Sequence, residues 1–457
     1  MRWMSKIDLL VAEIGSTTTV INAFNNLASC PEFIGQGQAA TTVVEGDVNI
    51  GLKFAIDDLC NKLNKENIDY RDLIATSSAA GGLRMTVHGL VYDMTVKAAK
   101  EAALGAGANI KYITAGKLRK SDLKKIKEIN PNIILIAGGV DYGERDTALF
   151  NSEQIAELGL NVPVIYAGNI ENQEEIRDIF KDKNLELYIV ANVYPKIDEL
   201  NIEPTRSIIQ DVFEKHIIHA PGMEKIRDLV TGPIMPTPGA VMQASQLLYE
   251  EIGDLVTIDV GGATTDIHSV TEESDEISRI LLSPEPLAKR TVEGDLGVYV
   301  NMLNIVDMVG KDELIKELSI SLDDLEKLIT NHKPIPVERG EKDFVEALAL
   351  HATITAIKRH CGHIKHLYGP SGKTTIAEGK DLTQVKYIVG TGGALTRLPN
   401  RIKILKQVSI SNKGMELLPN NDAEILIDND YIMASLGVMS KIYPSQALKL
   451  LKSSLNI

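Results

Sequence analysis

The stretch Val256–Val270, VTIDVGGATTDIHSV, decides how this chain is read. Strand-formers run up to Asp259 and Val260, small residues take over (Gly261, Gly262, Ala263, Thr264, Thr265), and strand-formers resume after Asp266. Chain reversal alone asks for one or two Gly or Asn residues, so an acid followed by two glycines and two hydroxyls exceeds what a turn requires. Backbone N–H groups free of Cβ bulk converge on an anion, Thr hydroxyls donate to phosphate oxygens, and a carboxylate at a strand end holds Mg2+ or orients a water. For a single copy, an ordinary glycine-rich hairpin with solvated threonines is the equal alternative.

A second copy tips the balance. Near the start stands LLVAEIGSTTTVINAF, residues 9–24: an apolar strand, Glu13, Gly15, the hydroxyl run Ser16, Thr17, Thr18 and Thr19, then another apolar strand. The tetrapeptide VEGD also recurs, its Asp47 lying 47 − 13 = 34 residues past Glu13 and its Asp295 lying 295 − 259 = 36 past Asp259. A third match, strand followed by paired glycines, is weaker: NIILIAGGVDYG (132–143) puts Gly138 at 138 − 13 = 125, and VKYIVGTGGALT (385–396) puts Gly392 at 392 − 259 = 133. Two related halves holding a ligand between them are expected.

At 457 residues the chain has material for two or three domains. With 48 Lys and Arg against 62 Asp and Glu, a net charge of −14, neither nucleic acid nor an anionic membrane is the expected partner, and a bound anion must be held locally. Cys30, Cys60 and Cys361 are too scattered for a disulfide framework, no 18-residue uncharged apolar run occurs, and the start lacks a long apolar segment, so a cytoplasmic protein is expected.

Residues 110–194 alternate short apolar runs with helix-period charged segments, the pattern of a parallel βαβ unit. Residues 311–330 and 341–368 have helical periodicity, Ser321 capping before acids, and TGPIMPTPGAV (231–241) reads as the seam into the second half. The division expected is a first lobe over 1–109, an inserted α/β segment over 110–215 and a second lobe over 216–457, whose last helix could return to the first.

Other motifs weigh less. GPSGKTT (369–375) is a solvent loop rather than a P-loop, because the fingerprint needs a glycine where Leu367 stands. The cluster His360, Cys361, His363 and His366 lacks a second group of ligands for zinc. DIHSVT (266–271) departs from DxHxxG at Thr271, and Asp266 and His268 fall on the return strand. IATSSAAGGLR (74–84) ends a strand in hydroxyls and Gly81–Gly82, with Arg84 as a possible anion partner. SPEPLAKRTVEGDLG (283–297) carries Lys289, Arg290, Glu293 and Asp295, a solvated charged loop or a group near Mg2+.

Two acid-Gly-hydroxyl hairpins and a late strand-Gly-Gly segment, in this order and spacing, resemble the phosphate and adenosine elements of the actin, sugar kinase and Hsp70 superfamily. The chain as a whole resembles the MutL-type accessory proteins of glutamate mutase clusters, on LLVAEIGSTTTVINAF, GQGQAATTVVEGDVNIGL, TSSAAGGLRMTVHGLV, ITAGKL, LIAGGVDYG, VPVIYAGN, IDVGGATTDIHSV and SPEPLAKRTVEGDLG. The resemblance implies an α/β, actin-like ATPase fold of two related lobes with duplicated phosphate hairpins and an inserted βαβ domain. It implies a slow, chaperone-like ATPase that lets an adenosylcobalamin-dependent mutase exchange damaged cobalamin for intact cofactor, alone or in a homo- or hetero-oligomer. ATP or ADP would meet Gly15–Thr18, Gly261–Thr265 and Gly390, Thr391, Gly392 and Gly393, and Mg2+ would meet Asp259 and Glu13, the catalytic acids. Glu13 stands where the superfamily has Asp, and its extra methylene sets the carboxylate ~1.5 Å further out. A small-molecule kinase of the same fold and a nucleotide-binding scaffold without turnover are the alternatives.

Overall fold

A computed structural model describes residues 6–43, 45–79, 82–220, 222–370, 372–411 and 414–457. The chain divides into two compact units, one running to Met242 and including Ser283–Pro286, the other Gln243–Leu282 with Leu287–Ile457.

The first unit opens with a three-stranded meander, β1 (Ile7–Ile14), β2 (Thr18–Asn25) and β3 (Glu32–Ala40), followed by helix α1 (Val48–Lys62) and strand β4 (Tyr70–Ser77). Asp47 caps α1, its side chain accepting from Asn49 N at 3.0 Å. The chain then builds β5 (Leu83–Gly89), α2 (Lys97–Gly105), β6 (Ala108–Ala115), α3 (Lys120–Ile129), β7 (Ile133–Ile136), α4 (Asp146–Glu157), β8 (Val164–Tyr166), α5 (Gln173–Asp182), β9 (Leu187–Ile189) and α6 (Glu203–His216). It returns through β10 (Ile234–Pro236) and enters α7 (Thr237–Ile252), so the proline-rich stretch 231–241 supplies a strand and a helix start.

Two sheets result. One has the order β10-β4-β1-β2-β3, with the meander antiparallel and β4 and β10 parallel to β1. β1 is apolar on both faces because both are covered: Leu9, Leu10, Val11, Ala12 and Ile14 are all buried. The other is fully parallel, β6-β5-β7-β8-β9, which in chain order is 2-1-3-4-5, a doubly wound arrangement with its switch point between β5 and β7. Its first strand, β5, lies ahead of the 110–194 alternation. Ile126, Ile134, Ile136, Tyr166, Ile176 and Phe180 form a core on one of its faces, and Val87, Leu135 and Ile165 join the larger core shared with β1.

The second unit repeats the first sheet. Its elements are β11 (Leu255–Val260), β12 (Thr265–Val270), α8 (Asp275–Ser278), β13 (Ala288–Glu293), α9 (Met302–Val309), α10 (Lys311–Leu318), α11 (Leu322–Thr330), α12 (Arg339–His360), β14 (His363–Gly369), β15 (Gly372–Glu378), β16 (Tyr387–Thr391), α13 (Gly392–Arg397), α14 (Arg401–Ile410), β17 (Glu424–Ile427), α15 (Met433–Met439) and α16 (Pro444–Leu455). The order β13-β12-β11-β16-β17, with β11, β12 and β13 antiparallel and β16 and β17 parallel to β11, is the topology of the first sheet strand for strand. The actin-like duplication expected from the two hairpins is therefore a property of two whole sheets.

Three expectations need correction. The counterpart of β16 is β4, not β7, since β4 and β16 are the strands parallel to the two hairpins. The equivalent of Thr391 is thus Thr76, near the end of β4, rather than a residue of LIAGG. The helix read over 341–368 stops at His360, where Gly362 backs onto the opposite strand so closely that a Cβ would stand 2.6 Å from Glu378 O. Residues 363–378 form a two-stranded hairpin instead, and GPSGKTT is its turn and return strand, with Ser371 outside the described residues. The helical stretch 311–330 is two helices, broken at Ser319 in the left-handed region and restarted by Ser321, whose hydroxyl accepts from Asp324 N. No described helix is long and apolar enough to cross a membrane.

Candidate functional site

The two turns are built alike. In each, four residues join the strands: Ile14 pairs with Thr19 around Gly15–Thr18, and Val260 pairs with Thr265 around Gly261–Thr264. Gly15 N–H donates to Thr18 O and Gly261 N–H to Thr264 O, both at 2.9 Å. A Cβ on Gly15 would stand 2.7 Å from that carbonyl and one on Gly261 3.2 Å, so the tight turn favours glycine in both units.

Most of the turn carbonyls accept hydrogen bonds from the protein, while two N–H groups in each turn do not donate to it. Gly15 O accepts from Thr41 Oγ1 (3.0 Å) and Thr17 O from Thr41 N (3.0 Å). In the second turn Gly261 O accepts from Val298 N, Gly262 O from Tyr299 N and Val300 N, and Ala263 O from Asn301 Nδ2. Among the described residues, the N–H groups of Ser16, Thr17, Gly262 and Ala263 have no protein acceptor. Adjacent N–H groups without protein acceptors, next to carbonyls tied back, are the makings of an anion-binding concavity.

The acids occupy equivalent places, each one residue from its strand end. Glu13 is registered against Thr76 on β4, and Asp259 against Thr391 on β16. Beside Asp259 the backbone bends sharply into α13 at Gly392, whose φ is +82°. A Cβ there would stand 2.3 Å from Asp259 Oδ1 and 2.6 Å from Val260 O, so both the conformation and the space require glycine. Gly393 has open space where a Cβ would be, whereas a Cβ on Gly390 would strike Leu405 at 2.6 Å, so Gly390 serves helix packing.

The hydroxyls divide by role. Ser16 and Thr17 are exposed, Ser16 Oγ donating to Ser78 O at 3.3 Å. Thr19 and Thr265 are fully buried braces, Thr19 bonded to Thr41 and Thr265 donating to Leu296 O at 2.6 Å. Thr391 donates to Asp428 Oδ2 (2.9 Å). Thr264 Oγ1 donates to Asp266 Oδ2 (2.9 Å), and Asp266 Oδ1 accepts from Arg290 Nε (2.9 Å) in a buried ion pair.

Other candidates prove structural. Lys289 and Arg290 are not on a solvated loop: both are buried on β13, and Lys289 Nζ donates to Thr271 O. Only the neighbouring segment Ser283–Pro286 belongs to the first unit, where Lys97 donates to Ser283 Oγ and pairs with Glu285. Glu293 and Asp295 share Arg359, which holds Asp295 below the usual carboxylate range. His360 is buried between Ser269 and Thr291, while His363 and His366 lie on β14 at a spacing that puts them on opposite faces. His268 is fully buried, and burial with the nearby Arg290 charge keeps it neutral far below the ordinary histidine range. Among the described residues no three His, Cys, Asp or Glu side chains are gathered to hold a metal. Arg84 is the second residue of β5, its backbone N–H donating to Asn132 Oδ1, and Gly81 lies outside the described residues.

Sequence reasoning missed Thr41, Asn301 and Asp428. Asp428 is buried at the end of β17 and accepts from Thr391 Oγ1, Ile432 N, Met433 N and Ser454 Oγ, tying the Gly392 bend to α15 and α16. A lone Asp after a short apolar run carries no signal of that role.

Paired strand-turn-strand units in two sheets of one topology define an actin-like ATPase fold. A family model described as MutL protein matches residues 9–455, and Protein MutL of Clostridium tetanomorphum is 36% identical over 462 residues, covering 98% of each chain. The chain belongs to the MutL family. Similar solved structures include diol dehydratase-reactivating factor in its nucleotide-free form (TM-score 0.40, 10% identity, 95% of this chain and 99% of that one). Component A of (R)-2-hydroxyglutaryl-CoA dehydratase from Acidaminococcus fermentans gives a TM-score of 0.32 at 9% identity, over 97% of this chain and 100% of that one.

Proposed function

We propose that this protein is an ATP-dependent, chaperone-like factor that opens an adenosylcobalamin-dependent mutase, glutamate mutase or an amino mutase, so that damaged cobalamin is exchanged for intact cofactor. The observation that carries the nucleotide half of this reading is the matched construction of the turns at Gly15–Thr18 and Gly261–Thr264, each closed by its glycine N–H onto the carbonyl of its fourth residue and each with two adjacent N–H groups that have no acceptor among the described residues. Membership of the MutL family supports the mutase half.

On this reading each turn meets nucleotide phosphates through its backbone N–H groups, and Thr391 with the backbone at Gly392 and Gly393 meets the nucleoside. Asp259 and Glu13 would hold hydrated Mg2+. They fit such an ion, because Mg2+ keeps most of its waters and takes one or two carboxylates alongside substrate phosphates, so no three-acid protein cage is needed. Bound Mg2+ would neutralise charge on the phosphates. Asp259 would also orient the attacking water, with Glu13 in support. Because ATP and ADP differ by one phosphoryl group, hydrolysis changes what a phosphate turn can hold, and only such a differential affinity can shift a conformational equilibrium.

The test is reconstitution with a purified mutase inactivated on its cobalamin. ATP hydrolysis should be slow without small-molecule acceptors, and mutase activity should return only with ATP, Mg2+ and fresh cofactor. Rapid ATP consumption that depends on a small substrate would make the protein a kinase, and recovery that survives loss of hydrolysis in Asp259→Ala would make it a scaffold.

A further inference from the structure

The two turns are twins in backbone but not in the state of their last threonine. In the second turn the single proton of Thr264 Oγ1 is donated to Asp266 Oδ2 at 2.9 Å. It has nowhere else to go, because Asp266 is acceptor-only and is fixed by Arg290 Nε and Nη2 on its other oxygen. Asp266 and Arg290 are 4% and 2% exposed, so water does not compete for the pair. Strand register makes Thr18 the equivalent of Thr264 and Val20 the equivalent of Asp266. With an apolar side chain two residues on, the Thr18 proton is not committed to a carboxylate, and its hydroxyl has no partner among the described residues.

A hydroxyl whose proton is taken offers only lone pairs, and lone pairs repel a phosphate oxygen but accept from water or coordinate a hard cation. Asp259, directly opposite Asp266 across the β11–β12 pair, adds a second oxygen acceptor to the same face. We propose that Thr264 meets the bound nucleotide as an acceptor in its Mg2+–water shell, while Thr18 meets it as a proton donor to a phosphate oxygen. The twin turns, alike in their backbone N–H groups, would thus differ in their last hydroxyl, one directed to the anion and one to its metal shell. This rests on the nucleotide reading above and assigns opposite polarities to two residues that the sequence repeat makes look alike.

The experiment is calorimetric titration of ADP into the full chain, once with EDTA and once with saturating Mg2+. Thr264→Val keeps the shape and removes the lone pairs: its affinity in EDTA should stay within about twofold of the unmutated chain, while the gain produced by Mg2+ falls about tenfold, the scale of one hydrogen bond to a charged partner. Thr18→Val should lose about tenfold in both buffers, leaving the Mg2+ gain intact. Thr264→Ser should restore the gain, and Thr264→Ala, which needs no packing of a branched side chain, should reproduce the valine pattern. Equal losses for Thr264→Val in EDTA and in Mg2+ would overturn the assignment alone. No heat from the unmutated chain in either buffer would remove the nucleotide reading, and the assignment with it.

Discussion

Asp259 and Gly392 show how little freedom the individual residues have. The Asp259 carboxylate fills the volume that any side chain at 392 would need. Gly392→Ala should therefore be strained both by its positive φ and by the clash, destabilising the second unit by roughly 2–4 kcal/mol. Urea titration would show it as a lowered midpoint with unchanged slope. Asp259→Ala should leave that midpoint near the wild-type value and reduce ATP hydrolysis about 100-fold or more, as loss of a group that orients water and metal would. A steady-state phosphate-release assay reads this, and hydrolysis within a fewfold of wild type would remove Asp259 from the chemistry. The acids and glycines of both turns were legible in the sequence because acid, glycine and hydroxyl follow one another within a few positions. Thr41, Asn301 and Asp428 were not, since each reaches its partner from 26 to 38 positions away in sequence.

Among elements, hairpins were easier to read than their surroundings. β1, β2, β11 and β12 announce themselves by apolar runs on either side of a turn, and the βαβ alternation of 110–194 by its period. The equivalence of β4 and β16 was hidden: both end in small residues, but only the parallel pairing with β1 and β11 shows which Gly-rich strand end belongs to the repeat. Lys289 and Arg290 were hidden for a different reason, since two adjacent cations with acids nearby look solvated until the ion pair to Asp266 is seen. That pair clasps β12 to β13. Arg290→Met should leave Asp266 buried without its main counter-charge and cost about 3–5 kcal/mol, whereas Arg359→Met, which touches the more exposed Glu293 and Asp295, should cost less than about 1 kcal/mol. Comparable losses in thermal or urea unfolding would contradict this ranking.

For the whole molecule, histidine burial ties stability to pH. Desolvation lowers His88 to about 3 and holds His268 and His360 well below 6.5. All three are neutral in the fold and protonate only on unfolding as pH drops below about 6.5, so the unfolded state binds more protons there. Their stabilising contribution is complete above that pH and is lost as pH falls below it, for His88 down to about 3, each by up to about 1.4 kcal/mol per pH unit. Urea midpoints should be level from pH 8 to 7 and fall steadily from 6.5 to 5, and a flat profile across that range would mean that these imidazoles are not buried. Two sheets of one topology were foreseeable from two hairpins. The doubly wound 2-1-3-4-5 sheet placed after β4 was foreseeable only in part, because its first strand, β5, follows directly on the small-residue end of β4 and reads as that strand's loop.

The central proposal is that both turns, one design used twice, are needed for nucleotide binding. Calorimetric titration of Mg·ADP into the full chain, into Thr17→Trp and into Gly262→Trp tests it directly, because each tryptophan blocks one turn. The account predicts one ADP per unmutated chain and no detectable binding by either variant. Two ADP per chain, or full binding retained when one turn is blocked, would contradict it.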